Sequence, residues 1–359
     1  MEGRHPFKSL SIPFYRKEEK NPMNTLKIKY TCRADLVPAA EIIKQGGLVA
    51  FPTETVYGLG ANALDGKAAE KIYRAKGRPS DNPLIVHLAF PWEAQRYCLT
   101  SRLFYRLAEV FMPGPLTVIM PKRACVPDTV TGGLDTVGIR IPSHPAAHDL
   151  IDLCGVPIAA PSANISGRPS PTAFRHVLND LEGRVDAIID GGESLFGVES
   201  TIIKLTDRDD TVQLLRPGAI TVEMLSLICP NVTVDPAVTE KYDGAPLAPG
   251  MKYRHYAPSQ PLTVLDGDDE SVYAFLKGRK CGIICFDGDL PFVPGLATVS
   301  CGSREDGFRQ AHRLFSCLRF FDGRDDVTEI YARMPARDGI GLAVFNRLIK
   351  ASGFNVIKL

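Results

Sequence analysis

The spacing of apolar positions divides the chain into two alternating series separated by a proline-rich gap. In the first series, residues 36–45 (LVPAAEIIKQ) carry apolar side chains at helical spacing and stop at Gly46-Gly47, a helix-ending pair. Residues 48–53 (LVAFPT) then read as a short strand running into a Pro-Thr turn. Further helices are predicted over 67–76, stopped by Gly77 and Pro79, and over 101–111, 146–153 and 172–181. Between them lie the apolar runs 84–88 (LIVHL), 116–120 (LTVIM), 137–142 (VGIRIP), 156–164 (VPIAAPSAN), 187–192, 200–205 and 212–218, all strand-like. Strands interleaved with helices predict an α/β sheet.

Residues 231–261 break this alternation. They hold Pro236, Pro246, Pro249, Pro258 and Pro261 with little periodicity, which predicts a long linker. The pattern restarts with strands at 262–266, 281–287, 297–301 and 327–333 and helices near 270–278, 305–320 and 341–352. That series predicts a smaller Rossmann-like α/β domain with a largely parallel sheet. The expected layout is a disordered extension over 1–25, in which Met23 is a candidate natural start, a first domain over 26–230, the linker over 231–261 and a second domain over 262–359. A length of 359 residues is of the order expected for two domains.

Composition changes this picture little but excludes several classes. Hydrophobic residues make up 45 % and charged residues 23 %, enough for ordinary globular cores. Lys plus Arg is 42 against 41 for Asp plus Glu, so no whole-surface field for nucleic acid or anionic membrane exists. No apolar run approaches the length of a membrane span, and residues 1–24 lack a signal-peptide core, so a cytoplasmic protein is expected. The nine cysteines are scattered without a CxxC pair and read as reduced thiols.

Candidate chemistry is of cations, hydroxyls and amides. Lys71, Arg74, Lys76 and Arg78 fall within eight residues around Gly77, with Asn82 after Pro79. A guanidinium fork and an ammonium at a glycine turn suit a phosphate chain, although cations favour helix ends in any case. Pro161-Ser162-Ala163-Asn164 follows an apolar strand, where open α/β sheets place ligands, and is equally consistent with an Asx turn. In 52–60 (PTETVYGLG), Gly58-x-Gly60-x-x-Ala63 formally matches a dinucleotide fingerprint, but the strand ends too early and no acid lies about 20 residues on. His87 and Arg140 sit inside apolar strands, and a buried arginine there requires an anionic partner from a ligand or from a nearby acid. There is no P-loop, HExxH or GxSxG, and His144 and His148 read as a helix start rather than a metal pair.

The strings FPTETVYGLG, KGRPSDNPLIVH, PGPLT, GIRIP, APSAN, ESTI and LLRPG together resemble the YrdC family. With MKYRHYAP at 251–258 and GIGLAVFNRLIKAS at 339–352, the chain looks like the long two-domain form, the threonylcarbamoyl-AMP synthases. The resemblance covers about residues 26–359. It implies a large YrdC-like domain with a twisted mixed sheet and a nucleotidyltransferase activity: threonine, bicarbonate and ATP give threonylcarbamoyl-AMP and pyrophosphate. A downstream tRNA threonylcarbamoyl transferase would use the product to modify ANN-decoding tRNAs. It also implies Mg²⁺ accompanying ATP. Lys76, Arg78, Ser162 and Asn164 match the family's Lys-x-Arg … Ser-x-Asn signature and are the implied catalytic residues. Thr55, His87, Arg140, Ala160 and Ser200 are the implied threonine contacts. Arg78, Asn82, Thr136, Ser162, Ser170, Arg216 and Tyr256 are the implied nucleotide contacts, and the linker carrying Tyr256 is expected to close over the nucleotide. Two alternatives stay open at this point: an RNA-binding module using the basic face of the first domain, and an NADP enzyme through Gly58-x-Gly60.

Overall fold

A computed structural model describes residues 24–206, 210–241, 244, 247–251 and 255–359. Two sheets organise them. The first contains β1 (Leu26–Lys29), β2 (Val49–Phe51), β3 (Gly58–Asn62), β4 (Ile85–His87), β5 (Leu116–Pro121), β6 (Thr136–Arg140), β7 (Ile158–Ala160), β8 (Ala187–Asp190), β9 (Thr201–Leu205), β10 (Thr211–Arg216) and β11 (Asn231–Val234). Their order is β1-β8-β2-β3-β7-β4-β6-β5-β9-β10-β11, with parallel and antiparallel neighbours mixed. Its helices are α1 (Val37–Lys44), α2 (Gly66–Lys76), α3 (Arg102–Phe111), α4 (Asp128–Thr131), α5 (Pro145–Cys154), α6 (Phe174–Leu181) and α7 (Val222–Ser226). The second sheet contains β12 (Leu262–Asp266), β13 (Gly282–Cys285), β14 (Ala297–Ser300), β15 (Ile330–Arg333) and β16 (Val356–Lys358) in the order β14-β13-β15-β12-β16, every pair parallel. It is flanked by α8 (Asp269–Leu276), α9 (Gly307–Arg319) and α10 (Gly341–Ala351).

Alternation along the strands loads both faces of the first sheet. In β2, Val49 and Phe51 pack with α1 and α5, whereas Ala50 faces the opposite cluster that contains Ile72, Leu107 and Val177 of α2, α3 and α6. A strand buried on both sides reads as a continuous apolar run, which is why these runs are legible in the sequence.

β3 is a central strand that the pattern does not predict. Its sequence, GLGAN, has no β-branched residue. A Cβ on Gly60 would lie 2.7 Å from Ile158 Cγ2 and 2.8 Å from Phe51 Cε1, and one on Gly58 would lie 3.1 Å from Phe51 Cζ. The two glycines are therefore explained by the close approach of the Phe51 ring, inside a strand and not at a phosphate-binding turn.

The boundaries differ from expectation at two points. Thr25, assigned to the extension, is buried and donates to the Val185 carbonyl (2.8 Å); residues 1–23 lie outside the described residues. Residues 231–234, assigned to the linker, form β11 and pair in parallel with β10. Four residues before a proline give too short a period to detect, but Val232 packs on the main core and Thr233 donates to the Val212 carbonyl.

Candidate active site

The site lies where the ends of β4, β6 and β7 meet the end of α2, the start of β9 and the end of β10. Register brings the polar side chains together. His87 on β4 is the cross-strand neighbour of Arg140 on β6, and Arg140 also faces Thr117 on β5. Thr117 shares a 2.8 Å hydroxyl hydrogen bond with Ser200, and Arg216 donates to the Ser200 hydroxyl and carbonyl, each at 3.1 Å.

A partly open cleft, about 680 Å³ when the solvent at its mouth is included, occupies this position. Of the residues singled out in the sequence, Lys76, Arg78, His87, Arg140, Ala160, Ser162, Asn164, Arg216 and Tyr256 line it. Thr55 and Ser200 sit one layer behind: Arg140 donates to the Thr55 hydroxyl (2.8 Å), and Ser200 supports Arg216. Asn82, Thr136 and Ser170 do not line the cavity. Asn82 is buried and its carbonyl accepts from Arg78 Nε (3.3 Å). Thr136 lines a neighbouring crevice with Pro83 and Pro249. Ser170 donates to Glu199 (2.5 Å). A short motif places such residues in the neighbourhood but does not separate lining from support.

The basic cluster also divides. Lys71 donates to the Gly46 carbonyl (2.6 Å), away from the cavity, and Arg74 is exposed and does not line it. Lys76 is fully buried; its ammonium donates to the carbonyls of Ser162 (2.5 Å) and Asn164 and to the Asn164 side chain (3.4 Å). Burial, reinforced by Arg78, pushes its pKa well down. In this structure Lys76 ties the end of α2 to the loop after β7. Arg78, half-buried, donates to the carbonyls of Asn82 and Pro83.

Arg140 is buried and its Nη2 donates to Glu54 (2.7 Å), Thr53 (3.3 Å) and Thr55. The anionic partner required of a buried arginine is thus Glu54, which the sequence reading did not name. The fork is only half used, because Arg140 Nε is buried without a hydrogen-bond partner. An orphaned guanidinium N–H beside a cavity is a ready donor for a carboxylate.

His87 Nδ1 lies 3.0 Å from the Ile85 carbonyl and 3.3 Å from the Ile158 carbonyl. Only an N–H can satisfy a carbonyl, so Nδ1 carries the proton and Nε2 is the acceptor left to the cavity. Burial, then the Arg140 charge, lowers its pKa to about 3, so the ring is neutral at physiological pH.

Among the lining residues that sequence reasoning did not assign to the site are two with strongly placed titratable groups, Glu199 and His255. Burial alone would raise the Glu199 carboxyl, but Arg347, Arg216 and Ser170 hold it below its ordinary value. Burial, then Arg78, lowers His255 to about 3. Both lie within motifs noted in the sequence, ESTI and MKYRHYAP, but nothing local marks either as facing a site.

The segment after β11 crosses the cavity. Arg216 Nη1 donates to the Pro249 carbonyl (3.2 Å), and the Ala257 N–H donates to the Gly167 carbonyl (2.9 Å). Gly250 has φ +88°, and a Cβ there would sit 3.1 Å from the Tyr256 hydroxyl. Tyr256 is buried with its ring 5.2 Å from that of Phe315 on α9. Burial and the nearby Glu199 push its hydroxyl up to about 12. Lys252, Tyr253 and Arg254 of the same motif lie outside the described residues.

Comparisons with known proteins bear on both halves of the chain. A Sua5/YciO/YrdC family model, described as "Telomere recombination", matches residues 41–218, and the model of the threonylcarbamoyl-AMP synthase C-terminal domain matches 220–353. A threonylcarbamoyl-AMP synthase of Pyrococcus abyssi is 45 % identical over 89 % of this chain and 95 % of its own length. One of Bacillus subtilis is 44 % identical over 90 % and 94 %. The crystal structure of P. abyssi Sua5 complexed with L-threonine superposes with a TM-score of 0.86 at 43 % identity, covering 93 % of this chain and 99 % of that one. The chain belongs to the threonylcarbamoyl-AMP synthase family, in its long two-domain form.

Proposed function

We propose that this chain condenses threonine, bicarbonate and ATP into threonylcarbamoyl-AMP, releasing pyrophosphate, and that a tRNA threonylcarbamoyl transferase consumes the product. The observation that carries the reading is one cavity holding two kinds of side chain. A neutral histidine and a half-satisfied buried arginine suit a zwitterionic amino acid, while Arg78 and Arg216 suit a phosphate chain.

The Arg140 Nε–H binds the threonine carboxylate, and His87 Nε2 accepts from the amine or hydroxyl. The threonine nitrogen displaces water from bicarbonate to give a carbamate. A carbamate oxygen attacks the α-phosphorus as the bond to the pyrophosphate oxygen breaks. Charge that grows on the phosphates is met by Arg78 and Arg216, in fixed positions, so stabilisation requires no reorganisation. Lys76, Ser162 and Asn164 act by holding the loop after β7 in place. Tyr256 and Gly250 close the nucleotide end, which protects a labile carbamate and a mixed anhydride from water.

Mg²⁺ enters this reading as part of the substrate. Among the described residues no group of three or more His, Cys, Asp or Glu is placed to hold a metal, and Glu199 is already engaged by Arg347 and Ser170. These donors do not fit a resident Mg²⁺ site; the ion would arrive on the triphosphate.

The test is pyrophosphate release from ATP–Mg²⁺ and bicarbonate, run with threonine, with serine and with no amino acid. Threonine-dependent release is expected, with serine slower because it leaves the methyl contact unmade. ATP binding without release in any tube would overturn the reading.

A further inference from the structure

From α10 the second domain sends three buried polar side chains to the first domain and to the segment that joins the two. Asn346, Arg347 and Lys350 are each at least nine-tenths buried. On the same helix Ala343, Val344, Leu348 and Ala351 pack in the core cluster that holds the second sheet and also takes in Val56, Val198 and Ala219 of the first domain. Asn346 Nδ2 donates to the Val238 carbonyl (2.6 Å) and Lys350 to the Gly250 carbonyl (2.6 Å). Arg347, fully buried, gives Nε to Glu199 Oε2 (2.9 Å), Nη1 to the Pro217 carbonyl (2.5 Å) and to Asn346 (3.1 Å), and Nη2 to the Glu199 carbonyl (3.3 Å).

These contacts end on cavity-lining residues. Among the described residues that line the cavity Glu199 is the one carboxylate, and Gly250 carries the turn against the Tyr256 hydroxyl. A bare carboxylate beside a triphosphate would repel it, or would have to take up a proton. Arg347 removes that repulsion from behind without itself lining the cavity, and its fork fixes Glu199 and Pro217 in one orientation.

We infer that Arg347 and Lys350 are positioning residues for the nucleotide: Arg347 neutralises and aims Glu199, and Lys350 pins the glycine turn that seats Tyr256. The inference rests on the proposed function for the identity of the ligand. It gives the second domain a specific role, as the back wall of the nucleotide subsite, because α10 supplies the bond from Arg347 to Glu199 Oε2 and the bond from Lys350 to the Gly250 carbonyl.

The test is calorimetric titration of the full-length chain with ATP–Mg²⁺ and, separately, with threonine, alongside the pyrophosphate assay. Arg347→Met is expected to weaken ATP at least tenfold with threonine affinity within twofold of wild type. Adding Glu199→Gln is expected to restore most of the loss, because the unpaired carboxylate is then gone. Lys350→Met is expected to weaken ATP several-fold and to leave threonine unchanged. Arg347→Lys, which keeps the charge but not the fork, should fall between wild type and Arg347→Met. If Arg347→Met does not fold, Lys350→Met and Arg347→Lys carry the test. Unchanged ATP affinity in folded variants, equal weakening of both ligands, or no recovery on adding Glu199→Gln would overturn the inference. A wild-type chain that binds ATP but releases no threonine-dependent pyrophosphate would instead overturn the proposed function, and the ATP titrations would still report on the clamp.

Discussion

His87 shows how a strand supplies a neutral acceptor. Its Nδ1 is committed to backbone carbonyls of β4 and of the residue at the start of β7, and the low-dielectric surroundings keep a second proton off the ring. His255 is held at about 3 by burial and Arg78, and His176 at about 4 by burial and Arg319. All three pKa values are depressed in the folded chain relative to the ordinary value near 6.5. The folded state therefore refuses protons that the unfolded chain accepts below pH 6.5. The histidine contribution to stability is full above that pH and is lost as pH drops toward 3–4, by about 1.4 kcal/mol per pH unit for each fully protected histidine. The urea midpoint is expected to decline between pH 7 and 5, before most carboxylates titrate, and His87→Asn should flatten the slope by about one proton. A midpoint constant over that interval would refute the assignment. The same residues show what a sequence can state locally. That Arg140 needs an anion follows from a cation in an apolar strand. That Glu54 is this anion requires β6 to lie beside the turn after β2, which no local spacing encodes.

At the scale of elements, legibility follows burial. Strands buried on both faces, such as 84–88 and 116–120, stand out as apolar runs, and their observed spans fall within or next to the predicted ones. β3 is hidden because its neighbours, not its own side chains, fill the space above its glycines. That origin makes it testable. Gly60→Ala forces a methyl to within 2.8 Å of both Ile158 and Phe51. Overpacking of this kind costs about 1–3 kcal/mol. Because Phe51 and Gly58 are register partners beside the cavity wall, the variant should also lose threonine affinity. An unchanged melting temperature would refute the packing account. β11, β16 and α7 escape detection for a different reason: each has five residues or fewer, too few for a period to register.

At the scale of the whole molecule, the two domains are joined by more than the chain between them. Asp180 on α6 is buried and pairs with Arg168 (3.2 Å) and with Arg319 of α9 (2.6 Å), and Arg168 also pairs with Asp322 (2.8 Å). His312 Nδ1 lies 3.0 Å from the Leu195 carbonyl. The pairings that cross between the domains are not legible in the sequence, since Asp180 and Arg319, Arg168 and Asp322, and Leu195 and His312 are each more than 100 residues apart and lie in elements whose own patterns are complete without them. Glu199 and Arg347, 148 positions apart, are the clearest case. Cutting the backbone at the exposed Gly244 should leave the halves associated through these contacts, while freeing the segment over the nucleotide end. The expected result is co-elution of the two fragments with ATP affinity reduced at least tenfold and threonine affinity retained. Undiminished ATP affinity in the nicked protein would show that the crossing segment does not close the cavity.

The strap fastened at Pro249, Gly250 and Ala257 also has a bearing on time. A ligand held behind bonds to both domains leaves only when several of them open together, and the adenylate is larger than the threonine that precedes it. Departure of the finished molecule is therefore expected to wait on the opening of the strap. A reactive anhydride would spend most of its short existence indoors, shielded from water until the strap opens.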